Sequence, residues 1–207
     1  MDNSPSATRQ PKQARAIRTR ERILDQAEQA FARKGYEAAS LTSDILDPSG
    51  ISVGSFYHQF TDKRAVLYAL LDERRSWQEG SAAAAAVAAA QPTFADAVRG
   101  GMLFFFDDID THPETWWIHC RDLYSADGEI RQLIEQSWAS RLAAVRSILE
   151  SRIDDPAMST PGRLAFATAG LAGMLRTYLA GDGEVRRRLR SDELDDLVAG
   201  CVASLSA

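Results

Sequence analysis

Cysteine and histidine are both scarce in this chain of 207 residues. The two cysteines, Cys120 and Cys201, lie far apart on apolar stretches, and they form no paired spacing that would hold zinc or build a disulfide framework. We therefore expect both thiols to be reduced and structural. The three histidines leave few candidates for a general base.

Long apolar runs and catalytic motifs are also missing. No stretch of eighteen strongly apolar residues occurs, and residues 1–10 lack an apolar segment that could act as a signal peptide. We expect a cytoplasmic protein without a membrane partner. A Gly-rich phosphate loop, a G-x-S-x-G elbow and an H-E-x-x-H helix are all absent, so the sequence predicts neither an enzyme nor a bound cofactor. Four possible metal ligands, His112, Glu114, His119 and Cys120, match no standard spacing, and we expect no metal.

Charge is unevenly distributed along the chain. The net charge is -5, yet residues 1–75 carry twelve Lys or Arg against ten Asp or Glu. The basic side chains concentrate near the start, at Arg9, Lys12, Arg15, Arg18, Arg20 and Arg22. Such a stretch suits a phosphate backbone, although a solvated tail can have the same composition. We expect residues 1–16 to form a flexible basic arm.

Apolar periodicity predicts helices in the first third of the chain. Between residues 18 and 34 apolar side chains recur every three or four positions, and Gly35 is placed to end that helix in a left-handed conformation. A second short helix is predicted at 41–47, followed by the turn residues Pro48, Ser49 and Gly50. Ser52 can cap a third helix, and Thr61 or Asp62 a fourth.

The rest of the chain also reads as helical. Beyond Pro92, helical patterns fit residues 94–109, 114–124, 128–153, 162–180 and 191–205, and no convincing strand appears. The predicted fold class is therefore all-α, with about nine helices in connected bundles.

Residues 52–60 have the pattern of a helix that enters a DNA groove. Phe56 and Phe60 are four apart and can face the core, while a small leading turn consists of Ser52, Val53, Gly54 and Ser55. Val53 could meet a thymine methyl, and Ser55 a base edge or a phosphate. Side chains that could donate to phosphates are Tyr57, His58 and Lys63. Tyr57 could instead be half-buried packing, and His58 an exposed residue without a partner.

Three stretches closely resemble the N-terminal domain of the TetR family of repressors. They are Arg20-Glu-Arg-Ile-Leu-Asp25, Phe31-Ala-Arg-Lys-Gly-Tyr36, and residues 50–60 with Asp62-Lys63. The resemblance covers roughly residues 17–72. It implies a third helix in the major groove and base or phosphate roles for Ser52, Val53, Gly54, Ser55, Tyr57, His58 and Lys63.

Two departures from the family pattern affect the second helix. The segment between Gly35 and Gly50 is about one residue longer than usual, and Pro48 falls where the family commonly has a helix-compatible residue. A shift of one residue turns a helical side chain by about 100°. The phosphate contacts that the family would place at Thr42 and Ser43 are therefore left open.

The resemblance also implies a helix-turn-helix domain at 17–62, followed by an effector-binding and dimerisation domain at 63–207. Candidates for an apolar ligand pocket are the aromatic, sulfur-containing and polar residues Met102, Phe105, Phe106, Trp116, Trp117, His119, Tyr124 and Trp138. His119 and Tyr124 are the possible polar anchors. Core packing explains the same residues equally well.

Two apolar stripes near the end of the chain are candidates for a dimer interface. One contains Leu164, Thr168, Leu171 and Leu175, and the other contains Leu194, Leu197, Val198, Cys201 and Val202. Paired across a two-fold axis they could form a four-helix interface, or they could simply close the core of one subunit.

Together these features predict a DNA-binding transcriptional regulator. A homodimer would repress by binding a palindromic double-stranded operator, and a small, largely apolar or aromatic effector of unknown identity would release it. Activation is an alternative to repression. A helical protein-interaction module and an enzyme are the rival classes, and a module of that kind has no need of the basic arm before a glycine-led helix.

Overall fold

A computed structural model describes residues 12–72, 83–84, 86–121, 125, 127–150 and 161–206. Every regular element in these ranges is a helix and none is a β-strand, which confirms the all-α prediction. Backbone contacts divide the chain into two compact units, Met1–Leu70 and Leu71–Ala207. The border falls inside the fourth helix, so most of that helix, which the sequence assigned to the second domain, lies in the first unit.

The described part of the first unit contains five helical segments. They are α1 (Lys12–Lys34), the π-helix π1 (Leu41–Leu46), α2 (Asp47–Ser49), α3 (Val53–Tyr57) and α4 (Lys63–Asp72). Helix α1 already includes residues 12–16, which we expected to be a flexible arm. It ends at Gly35, whose φ of 83° is the predicted left-handed conformation and whose N–H donates to the Phe31 carbonyl at 2.8 Å.

Five large apolar side chains close the core of the first unit. Ile23 and Phe31 of α1, Ile45 of π1, Phe56 of α3 and Leu67 of α4 are completely buried. Full burial stabilises each such side chain by roughly 1.5–3 kcal/mol relative to exposure. Because α3 is only five residues long, Phe56 largely determines which of its faces points inward.

Among its described residues, the second unit contains six further helices after short helical stretches at 83–84 and 86–89. They are α5 (Phe94–Thr111), α6 (Pro113–Arg121), α7 (Gly128–Glu150), α8 (Pro161–Ala180), α9 (Gly183–Arg188) and α10 (Asp192–Ser206). All but α9 correspond to a predicted helix. Residues 122–124 and 151–153, predicted as helix ends, lie outside the described residues.

One apolar core joins five of these helices. It includes Phe106 of α5, Trp116 of α6, Trp138 of α7, Leu171 of α8 and Leu194 of α10, each at most 8% exposed. Phe106 stacks on Tyr178 of α8, with the ring centroids 4.1 Å apart and the planes 10° from parallel. The unit is therefore held together by a continuous apolar centre.

Helix α9 has no fully buried residue, and hydrogen bonds from arginines attach it to the unit in addition to the contact of Val185 with the apolar core. The Arg186 guanidinium donates to the carbonyls of Gly181 and Leu179 and to Asp110 of α5 at 2.9 Å. Arg190, just after α9, donates to Asp107, to Asp110 and to the Tyr178 hydroxyl. Such charge-assisted hydrogen bonds are the stronger ones in proteins.

Asp110 is the acceptor that links these groups. Burial raises the pKa of its carboxyl, but the hydrogen bonds from Tyr178 and Arg190, together with the charges of Arg190 and Arg186, outweigh that effect and lower its pKa below 3.8. Burial and the Asp110 carboxylate raise the pKa of Tyr178. The phenol therefore stays protonated and donates to Asp110 at 2.7 Å.

Within the described ranges, no helix combines the length and apolar character needed to cross a bilayer. The same part of the chain holds no group of three or more His, Cys, Asp or Glu side chains arranged to bind a metal ion.

Candidate nucleic-acid interface

Helix α3 has one buried side and one open side. Phe56 is completely buried and Phe60 is 5% exposed, and their rings lie 5.9 Å apart. Val53 is 52% and Tyr57 58% exposed, and the Tyr57 ring meets the edge of the Phe56 ring with the centroids 5.2 Å apart. A Cβ added to Gly54 would meet no atom within 4 Å. The leading end of α3 is thus an open surface with a glycine at its centre.

The capping residue orients this leading end. Ser52 has an extended backbone and its Oγ accepts from the Ser55 N–H at 3.2 Å, as predicted for the helix cap. The hydroxyls of Ser52 and Ser55 lie 2.9 Å apart, and both side chains are exposed. His58, which follows α3, is exposed as well. The sequence candidates around α3 therefore all lie at the surface of the first unit.

The π-helix explains how the longer second segment is accommodated. In π1 the Asp47 N–H bonds to the Thr42 carbonyl, five residues back, so one turn holds an additional residue. Pro48 then falls in the first turn of α2, where a missing N–H is tolerated, and Gly50 closes α2 with φ 63°. The second helix, predicted to end at residue 47, therefore continues as α2 to Ser49.

The cap of π1 places Thr42 and Ser43 at an exposed helix start. Ser40 accepts from the Ser43 N–H at 3.3 Å, and Asp44 accepts from the Ser40 N–H at 2.8 Å. In an ordinary capping box the acidic residue stands three positions after the cap. Here Asp44 stands four positions after Ser40, which matches the one additional residue in the turn of π1.

Asp44 also pairs with α1. The Lys34 ammonium donates to its Oδ1 at 2.6 Å. The hydrogen bond from Lys34 and that from the Ser40 backbone lower the pKa of the Asp44 carboxyl below its usual 3.8.

Lys63 is held within the first unit. Its ammonium donates to the carbonyls of Tyr36 and Ala39 at 2.7 and 2.8 Å and lies 4.4 Å from the centroid of the Tyr36 ring. These contacts join the start of α4 to the loop between α1 and π1. Sequence reasoning missed this role, since nothing local in the sequence links Lys63 to residues more than twenty positions earlier.

Comparisons with known proteins agree with this geometry. Residues 23–70 match the family model described as bacterial regulatory proteins, tetR family. A segment of 74 residues is 40% identical to the A-factor receptor protein of Streptomyces griseus, covering 34% of this chain and 26% of that protein. Residues 23–70, about a quarter of the chain, are therefore similar to bacterial regulatory proteins of the tetR family.

Solved TetR-family structures share the fold over nearly the whole chain. The regulator PfmR of Thermus thermophilus is similar with a TM-score of 0.64 at 23% identity, covering 86% of this chain and 94% of that one. The regulator FadR of Bacillus subtilis, solved with stearoyl-CoA, is similar with a TM-score of 0.58 at 19% identity, covering 90% and 95%. The sequence match, by contrast, spans about a quarter of the Streptomyces relative.

The ligand candidates with a described position lie together in the second unit. Met102, Phe105, Phe106, Trp116 and Trp138 belong to its apolar core, and Trp117 packs against that core. The Trp116 ring meets Phe105 and Trp138 nearly edge-on, with centroids 6.1 and 6.5 Å away. His119 is 1% exposed, and its Nδ1 lies 3.0 Å from the Ser137 hydroxyl. Tyr124 is outside the described residues.

The dimer candidates mostly face the core of their own subunit. Thr168, Leu171, Leu175, Leu194 and Val198 are at most 6% exposed, and Cys201 is half-buried. Burial raises the pKa of the Cys201 thiol, which keeps it protonated. The side chains of Leu164 and Val202 fall outside the described part. Of the set with a described side chain, Leu197 alone is clearly exposed, at 42%.

The outer side of α8 carries a residue that the sequence stripe did not include. Phe166 is 69% exposed, and its neighbours Ala165, Ala169 and Gly170 are exposed as well. A Cβ on Gly170 would lie 3.4 Å from the Cys201 sulfur, so α8 and α10 approach closely there. The sequence feature that could have pointed to this surface is a large aromatic residue, Phe166, that lies outside the leucine stripe of α8.

Proposed function

We propose that this chain is a TetR-family transcription regulator whose helix α3 reads operator DNA in the major groove. The observation that carries the proposal is the open side of α3, where Val53, Gly54 and Tyr57 stand outward from a buried Phe56. A major groove admits a helix whose leading residues are small enough for close approach. No packing requirement within the described chain explains a glycine at that point.

The contacts follow from what each side chain offers. The Val53 methyl groups suit a thymine methyl, and the Ser55 hydroxyl a base edge or a phosphate. Tyr57 and His58 donate to phosphates on one side of α3, and Thr42 and Ser43 do so from the start of π1. Phosphate contacts set affinity and orientation, whereas Val53 contributes sequence preference.

Two copies bind together through the outer side of α8 and α10. Phe166 and Leu197 are among the six most exposed large apolar side chains of the described chain, and they share this side with small residues that permit close helix approach. A dimer presents two α3 helices to a palindromic operator. The leucines of the two predicted stripes then stabilise the subunit beneath that surface.

The second unit responds to a small apolar effector, and binding releases the operator. The aromatic core around Trp116 offers apolar contact, and the buried His119 with its half-buried partner Ser137 offers polar anchoring. The related FadR fold holds stearoyl-CoA, and another neighbour, KstR2 of Mycobacterium tuberculosis, is named a ketosteroid regulator. A ligand that favours a dimer geometry unable to fit both grooves weakens DNA binding by linkage.

Two exposed tyrosines give a matched test of the DNA-binding surface. Tyr57 on α3 is 58% exposed and Tyr68 on α4 is 54% exposed. We expect Tyr57→Ala to weaken binding to DNA from upstream of the protein's own gene about tenfold, because a phosphate contact is lost. Binding to a duplex of scrambled sequence should weaken by a similar factor. Tyr68→Ala should leave both affinities unchanged. Fluorescence anisotropy at several stated salt concentrations measures both.

The wild-type protein should prefer the upstream DNA by about a thousandfold over the scrambled duplex. Equal affinity of the wild type for both duplexes would contradict the proposal, and so would equal effects of the two tyrosine substitutions. Repeating the titration with added acyl-CoA or steroid ligands tests effector release, since an effector must lower the operator affinity.

A further inference from the structure

Two arginines of α1 contact the chain on either side of α3. The Arg22 guanidinium donates to the carbonyl of Ser49, in the turn that precedes α3. The Arg20 guanidinium lies over the ring of Phe60, just after α3, with its Cζ 4.4 Å from the ring centroid. The sequence pattern grouped both arginines with phosphate-binding cations, but here each has a partner inside the first unit.

Arg22 packs closely against the turn that leads into α3. Ser49 is 3% exposed, and its carbonyl belongs to the last residue of α2, at the partially negative end of the helix. A Cβ placed on Gly50 would lie 3.1 Å from the Arg22 Nη2, so the guanidinium touches the turn itself. The Ser49 hydroxyl donates to the Leu46 carbonyl at 2.8 Å. The hydroxyl and the carbonyl of Ser49 therefore both have hydrogen-bond partners within the first unit.

The contact at Phe60 acts on the other end of the same element. Phe60 packs on Phe56, the residue that determines the inward face of α3. Arg20 therefore covers the Phe60 ring that packs on Phe56, while Arg22 binds the turn before α3. A short helix gains little orientation from its own length, so contacts at its two flanks determine how it is presented.

We infer that Arg22 is a positioning residue for α3, which sets the angle at which α3 meets DNA rather than binding a phosphate itself. Moving the Arg22 guanidinium away to a phosphate would break its hydrogen bond to the Ser49 carbonyl. Loss of Arg22 then disturbs the fit of α3 to base edges more than it reduces general attraction to DNA. This inference rests on the proposed function.

The salt dependence of binding separates the two roles. Each lost phosphate contact lowers the slope of log affinity against log salt concentration by about one, and it weakens specific and non-specific DNA alike. Loss of a positioning residue leaves this slope unchanged and lowers the affinity for the matched sequence only. A purely structural role would lower the melting temperature without changing the affinity of the folded fraction.

The experiment uses the full chain and the tightest duplex that the wild type selects from a randomised pool. We expect Arg22→Ala to weaken binding to that duplex at least tenfold. The slope of log affinity against log salt concentration and the affinity for scrambled DNA should be unchanged. Arg22→Gln loses the charge but keeps an N–H donor for Ser49, so it should bind more tightly than Arg22→Ala. Arg15→Ala removes the same charge from an exposed part of α1 and is the phosphate-type comparison.

A slope reduced by about one in both Arg22 variants would overturn the inference, and so would unchanged operator affinity. Circular dichroism and thermal melting confirm folding, and if Arg22→Ala does not fold, the slope of Arg22→Gln decides. A wild-type protein without sequence preference would instead contradict the proposed function, and that result is obtained before any variant is compared.

Discussion

At Gly54 helix stability and DNA contact make opposite demands. Glycine in a helix costs roughly 0.5–1 kcal/mol relative to alanine. The backbone there does not require glycine, since the positive-φ glycines of the described chain are Gly35 and Gly50. An added Cβ would point into open space. The proposed approach of DNA to α3 supplies a reason for glycine at this position.

Substitution at Gly54 separates these two demands. We expect Gly54→Ala to raise the free energy of unfolding by about 0.4–1 kcal/mol and to weaken operator binding at least tenfold, because the new methyl group blocks close approach to the bases. Thermal melting and DNA titration measure the two effects. Gly128→Ala, at the first residue of α7, is the control, which should leave DNA binding unchanged. Unchanged operator affinity in Gly54→Ala would contradict the placement of α3.

Local residue roles were predictable where the cause is local. The left-handed Gly35 and the Ser52 cap depend on neighbours within four positions, and both predictions are confirmed. The partners of Arg22 and Lys63 lie 24 to 27 positions away. A sequence pattern records a cation at those positions but not the carbonyls that the fold brings to it.

Among the elements, π1 shows what an additional residue does to a helix. The sequence indicated that the segment before Gly50 is about one residue longer than the family pattern, and the structure absorbs that residue in a wider turn instead of a loop. Ile45 and Leu46 are buried in this arrangement. Sequence spacing could not distinguish these outcomes, since both keep the apolar pair on the inner side.

The ion pair between π1 and α1 gives a pH dependence. The pKa of Asp44 is lowered in the folded chain, so its contribution to stability is present above pH 3.8 and is lost as the pH falls through the folded value. We expect wild type to melt at a higher temperature than Asp44→Asn near pH ~6. The difference should shrink as the pH falls from about 4.5 to about 3. A difference that stays constant over this interval would contradict the charged pairing with Lys34.

Helices α8 and α10 show why periodicity alone left the dimer surface open. Both are apolar on more than one side, so the leucine stripe could close either the subunit or an interface. The structure turns Leu171, Leu175 and Leu194 inward and leaves Phe166 outside. Helix α9 was missed because it is six residues long and charged, and its anchors are contributed by other elements.

At the scale of the whole molecule, the proposal requires a dimer. Phe166→Glu would place an unpaired charge in the proposed interface, so we expect light scattering to show a fall from twice 22.7 kDa to one chain mass. The circular dichroism spectrum should be retained, since Phe166 is 69% exposed. Tyr68→Glu changes a comparably exposed aromatic residue in the first unit and should leave the dimer intact. A wild type of single-chain mass would contradict the interface.

The most direct test of the account is to sequence the DNA that the full chain selects from a randomised pool, for wild type and for Val53→Ala. The account predicts an inverted repeat for wild type, with half-site centres about one helical turn, or ~10 base pairs, apart. It also predicts that Val53→Ala loses the preference for thymine at one position of each half-site. A pool without an inverted repeat, or an identical repeat from both proteins, would contradict the claim that the open side of α3 reads DNA.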